Sequence, residues 1–158
     1  MKLRAARHTL GLSVVLVAAL GTVPAEAQLT MAQAREAVDA AEAEARANGW
    51  NLTIYVADAE GVPIYLRRMD GARARTTEIV RMKVTAVVET GGTSGAYGRA
   101  LAAGTTDTIP GAIHFEGGLP IVFDGEMVGA MATSGARGSE DAQAVRAGLA
   151  AIGAEPVG

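Results

Sequence analysis

The chain has 158 residues, 20% of them charged and 4% aromatic, and it contains no cysteine. That length builds one domain with a hydrophobic core, and the missing cysteines exclude thiolate catalysis, iron–sulfur clusters, c-type haem attachment and Cys-rich zinc sites. Setting aside the three basic residues and one acidic residue of the first 27 leaves 11 against 16, a net charge of −5 without a Lys/Arg cluster, which disfavours nucleic acid and anionic membrane surfaces as partners.

Residues 1–27 read as a secretory signal peptide. Lys2, Arg4 and Arg7 form a positive start, Leu10 to Leu20 an apolar stretch, and Ala25-Glu26-Ala27 a small-x-small cleavage site. The apolar stretch is shorter than the roughly 20 residues a spanning helix needs. The expected mature domain is 28–158, periplasmic or secreted, with no integral membrane span once the signal is removed.

Thr30 and Gln33 spell a capping box ahead of a helix whose apolar positions are Met31, Ala34, Val38, Ala41 and Ala45, with Gly49 as its stop. Alternation over Leu52 to Ala57, the Glu60-Gly61 turn and the run Val62 to Met69 predict a hairpin. Thr76 or Thr77 can cap a second helix with the stripe Val80, Val84, Val87 and Val88, stopped at Gly91-Gly92. A helical piece over Ser94 to Ala103 follows, then a polar loop and a short strand over Ala112 to Phe115. Leu119 to Phe123 and Glu126 to Thr133 make a second hairpin around Asp124-Gly125, whose composition suits a type I′ turn. Ser139 can cap a last helix marked by Val145, Gly148, Leu149 and Ile152. The order α, β-β, α-α, β-β, α, without long crossovers, predicts an α+β domain around an antiparallel sheet of four or five strands.

Six blocks occur in order: L-T-x-x-x-A near residue 29, V-A-D-A-E-G-V-P at 56–63, R-R-M-D-G at 67–71, E-G-G-L-P-I-V-x-D-G-E-M-V-G-A at 116–130, T-S-G-A at 133–136 and D-A-Q-A-V-R-A-G-L at 141–149. Together, from about Leu29 to Ile152, they resemble the GlcG/HbpS family of haem-binding-type domains. The resemblance implies a profilin-like α+β fold, with an antiparallel sheet of about five strands flanked by helices, assembled into homo-oligomers from dimers to octamers. It also implies haem or ferric iron as ligand in some exported members and membrane sensor kinases as partners. The second helix departs from the family's usual S-x-x-x-A-x-x-K-A-x-T-A. Lys83 is kept, while Val80 and Val84 replace small residues and add bulk to whatever cavity the helix lines.

His114 is the one histidine after residue 27, so a single subunit cannot build a multi-histidine metal site. It can serve as an axial ligand to haem iron, as a general base, or as a hydrogen-bonded residue at a strand end. If 112–115 is a strand, Glu116 shares its face and can join it in proton transfer; surface polarity accounts for Glu116 equally well. Gly117 and Gly118 free two backbone amides for a carboxylate such as a haem propionate, or form a tight turn before a strand. Lys83, at the edge of an apolar stripe, can hold a carboxylate or act as a desolvated base or nucleophile, or else snorkel to water. Met69 is a soft haem contact or core filler.

Three functions follow. The first is an exported oligomeric domain that binds haem or another carboxylated small molecule through His114, Lys83, Gly117, Gly118 and Met69. The second is a cofactor-independent enzyme acting on a small organic acid, with Lys83, His114 or Glu116 as catalytic candidates. The third is an oligomeric interaction partner of a membrane sensor.

Overall fold

A computed structural model describes residues 28–156; the expected signal peptide lies outside the described residues. The elements are α1 (Met31–Ala47), β1 (Thr53–Asp58), β2 (Pro63–Arg68), α2 (Thr76–Thr90), α3 (Ser94–Ala103), β3 (Gly118–Phe123), β4 (Glu126–Ser134) and α4 (Gly138–Ala151). One antiparallel sheet of four strands runs β2-β1-β4-β3. The fold class is thus the expected α+β, with four strands rather than about five.

Alternation sorts the side chains of the sheet into two cores. Ile54, Val56, Met131, Leu119 and Ile121 face α1 and α4, meeting Ala34, Val38, Ala41, Val145 and Leu149. Tyr55, Ala57, Ala130 and Ala132 face α2, meeting Val80, Val84 and Val87. The small side chains of α1 and α4 let these helices pack closely against each other. At Gly148, an added Cβ would lie 2.6 Å from the Ala37 carbonyl oxygen.

The capping box of α1 is present: Gln33 N–H donates to Thr30 Oγ1 and Thr30 N–H to Gln33 Oε1. Asp124 and Gly125 both take positive φ, 51° and 79°, as a type I′ turn requires. The expected caps of α2 and α4 are replaced. Arg75 precedes α2 without a side-chain cap, because the Thr76 hydroxyl turns inward, donating to the Arg73 carbonyl and meeting Thr53 Oγ1 at 2.6 Å. Ser139 lies inside α4, whose N-cap is Arg137, and the Arg137 N–H donates to Glu140 Oε2.

No strand forms over Ala112 to Phe115. This segment's backbone is engaged by helices instead: Ile113 N–H donates to the Met82 carbonyl of α2, and Ser94 Oγ of α3 donates to the Phe115 carbonyl. Gly98 of α3 admits the His114 carbonyl oxygen, which would stand 2.4 Å from a Cβ there. The strand alternation that would place His114 and Glu116 on one face does not apply.

The sheet's outer edges differ. Along β3, Glu155 N–H donates to the Val122 carbonyl, and Gly125 N–H donates to Glu155 Oε1. Among the described residues no strand pairs with the outer edge of β2, which opens with Pro63 and closes with Arg67-Arg68. Among the described residues no helix is long and apolar enough to cross a membrane.

Candidate functional site

The site forms where β3 begins and β4 ends. α2 lies on one face of the sheet and α4 on the other. Lys83 belongs to the buried stripe Val80, Lys83, Val84, Val87 of α2 and is 1% exposed. Its Nζ reaches around the sheet end, donating to the Thr133 carbonyl and to Asp141 Oδ2 of α4, both at 2.8 Å. Asp141 is equally enclosed, at 3% exposure. Its Oδ1 accepts from Ala136 N–H, and Thr133 Oγ1 donates to its carbonyl.

Burial pushes the Lys83 ammonium below the usual lysine range, against the pull of the Asp141 carboxylate. Burial likewise pushes the Asp141 carboxyl up, against the pull of Lys83. Both shifts favour moving the proton from nitrogen to oxygen.

The pair stands in the wall of a cleft of about 280 Å³, lined further by Arg73, Arg75, Thr76 and Ile79 from the start of α2, by Phe115, and by Ser134 to Ala136. Arg73 and Arg75 are exposed, and Phe115 is 51% exposed at the mouth. Phe115 meets the His114 ring edge-on, with centroids 4.8 Å apart. An apolar lip, two guanidinium groups and a buried ammonium–carboxylate pair therefore share one concavity, an arrangement suited to a small anionic molecule with an apolar or planar part.

The residues singled out in the sequence divide. Lys83 lies in the cleft wall, whereas His114 is exposed and outside the lining, touching it only through its ring contact with Phe115. Gly117, at φ +105°, lets the chain pass over the buried pair: a Cβ there would stand 2.7 Å from Lys83 Nζ and 2.5 Å from Asp141 Cβ. Its carbonyl accepts from Thr133 N–H. Gly118 N–H is taken by Ser94 Oγ at 2.9 Å, so it is not a free donor for a carboxylate. Glu116 is exposed and, with Gly117 and Gly118, lines a separate depression of only about 50 Å³. Met69 is in the opposite core, its sulfur accepting from Leu52 N–H at 3.5 Å, and the structure does not bring it to the cleft.

Asp141, Arg73, Arg75 and Phe115 were not among the residues the sequence singled out. One signal was available for Asp141: it falls in line with Val145, Gly148 and Leu149 on the buried side of α4, as Lys83 falls among valines on α2. A lone charge inside each of two apolar stripes calls for a partner.

An antiparallel four-stranded sheet with α1 and α4 on one face and α2 on the other, and a cleft at its end, places the molecule among small α+β domains. The family model described as "Haem degrading protein HbpS-like" matches residues 29–150, and the chain belongs to this family. Protein GlcG of Escherichia coli K12 is 35% identical over 109 residues, covering 67% of this chain and 81% of GlcG. The crystal structure of a double mutant of HbpS from Streptomyces reticuli is 28% identical with a TM-score of 0.74, covering 89% of this chain and 97% of that one. A crystal structure of a PduOC–haem complex, 19% identical, shares the fold with a TM-score of 0.77 over 83% of this chain and 99% of that one.

Proposed function

We propose that this protein is an exported, oligomeric small-ligand-binding domain and that its ligand is haem or another carboxylated small molecule, bound in the cleft between the start of α2 and the Ser134–Gly138 loop. The observation that carries this reading is the pairing of two exposed guanidinium groups, Arg73 and Arg75, with the apolar surface of Ile79 and Phe115 in one concavity. The family's description as haem degrading and the haem held by PduOC make haem the first ligand to test.

The residues fit such a molecule in a definite way. Arg73 and Arg75 take the carboxylates, since guanidinium binds carboxylate in a bidentate fork. Phe115 and Ile79 would contact the planar part, and the exposed His114 imidazole would be the side chain to hold the iron. Bound haem supplies redox chemistry at iron; the protein orients it and limits water at its face. A cleft of about 280 Å³ lies just below the usual range of roughly 300–1,000 Å³ for ligand sites, so residues beyond its lining would have to help hold a molecule of the size of haem. The carboxylate-holding role expected of Lys83 and the Gly118 amide passes to Arg73 and Arg75, because Lys83 and Gly118 already have partners.

Hemin titrated into the purified protein tests this. The expected result is a saturable shift of the Soret band, weakened about tenfold or more in Arg73→Ala/Arg75→Ala and changed in wavelength in His114→Ala. Absence of any shift refutes haem as the ligand, and an unchanged spectrum in His114→Ala removes the axial role. Light scattering of the same sample reports the oligomer, and sequencing of protein exported by its host locates cleavage at Ala27-Gln28.

A further inference from the structure

Residues 28–158 carry eleven cationic side chains, of which ten are arginines and one is Lys83. Arginine is the better partner for a fixed carboxylate and does not lose its proton in proteins. The single side chain here that can become a neutral amine is thus also the one enclosed at 1% exposure against a carboxylate, in the wall of the cleft. Two of its three N–H groups have acceptors, Asp141 Oδ2 and the Thr133 carbonyl, and the third has no protein acceptor among the described residues.

We propose that Lys83 is a covalent amine site that forms an iminium with the carbonyl of a small 2-oxo acid, with Asp141 as its proton carrier and Arg73 and Arg75 holding the acid's carboxylate. The inference rests on the cleft being a carboxylate-binding site and adds a reaction to it. Asp141 takes one proton from the Lys83 ammonium, and the neutral amine attacks the carbonyl carbon, forming the C–N bond as the carbonyl π electrons move to oxygen. A proton passes from nitrogen to that oxygen, giving a carbinolamine. Asp141 then returns its proton to the hydroxyl, which leaves as water while the nitrogen lone pair closes the C=N bond. The product cation again faces the Asp141 carboxylate, so the buried charge pair is restored. The low-polarity surroundings that disfavour a charged amine are the same ones that activate lysine nucleophiles elsewhere.

The test is reductive trapping on the wild-type protein. Purified folded protein is incubated with pyruvate and cyanoborohydride, cut at arginine, and the peptide 82–99 is weighed for the reduced adduct at Lys83. The same reaction in denaturant measures the intrinsic reactivity of the exposed lysine. The expected result is saturable labelling of Lys83 in the folded state, faster than in the unfolded state by about tenfold or more, because the held carboxylate raises the local concentration of the carbonyl. Labelling that is absent from the folded state, or no faster than in the unfolded one, overturns the proposal. A hemin-dependent Soret shift without a Lys83 adduct leaves carboxylate binding standing and removes the amine site alone, whereas loss of both results removes both.

Discussion

Two clusters of opposite charge hold helices against this sheet, and they do so in opposite solvent regimes. On the α1 face, Arg67 of β2 donates through Nη1 to Asp39 and Glu42, both at 2.6 Å, and through Nη2 to the Tyr65 hydroxyl at 2.9 Å, while Arg46 also reaches Glu42. At the sheet's end, Lys83 and Asp141 make a similar pair with almost no access to water. The first cluster is only partly withdrawn from water, with Arg67 26% and Glu42 16% exposed, so its net worth is smaller. In the second, water has been removed from both charges and each depends on the other. Distances alone do not distinguish them; burial does.

The largest effect should come from breaking the buried pair on one side. Lys83→Met is expected to cost about 3–5 kcal/mol of unfolding free energy, and Lys83→Met/Asp141→Leu to recover most of that loss, both read from urea denaturation. Single and double variants of equal stability would show that the pair behaves like the exposed cluster. Gly117→Ala should cost about 3 kcal/mol, because the new Cβ strains the backbone at φ +105° and crowds Lys83 Nζ and Asp141 Cβ. Arg67→Ala should cost about 1 kcal/mol or less and lose even that in high salt, which leaves the buried pair unaffected.

The smallest effect separates the two clusters by sign. Burial would raise the Glu42 carboxyl, yet its hydrogen bonds to Arg67 and Arg46 together hold it below its ordinary 4.5. The unfolded chain therefore binds more protons there, so Glu42's contribution is present above about 4.5 and is lost as pH falls through its folded value. Asp141, raised by burial above its ordinary 3.8, binds more protons when folded, and its contribution declines as pH climbs from 3.8 towards its folded value. Stability measured against pH should lose its acid-side rise in Glu42→Gln while keeping the Asp141 decline, and the Lys83→Met/Asp141→Leu double variant should show the reverse.

What could be read from the sequence was whatever is encoded locally. The Thr30–Gln33 capping box, the alternation in β1 and β4 and the Asp124-Gly125 turn each depend on neighbours within a few residues, and each was legible. The segment Ala112–Phe115 was misread because its backbone partners, Met82 and Ser94, are distant in sequence, and a short apolar run carries no sign of which elements will bond it. The site was half legible for the same reason. Lys83 and His114 stood out by type and position, whereas Asp141 is 58 residues from Lys83. Arg73 and Arg75 read as ordinary loop charges until α2 placed them over the cleft.

The contact of Glu155 with β3 bears on how copies of this chain can meet. A bare strand edge is a template for pairing with another chain, and here the tail already occupies the Val122 carbonyl and ties itself to the turn through Gly125. At the other edge, Pro63 lacks a donor and Arg67-Arg68 bring charge, the usual protections of a short outer strand. Growth by strand addition is thereby discouraged on both sides. Removing the chain from Glu155 onward would bare the β3 edge and leave a strand able to pair with that of another copy.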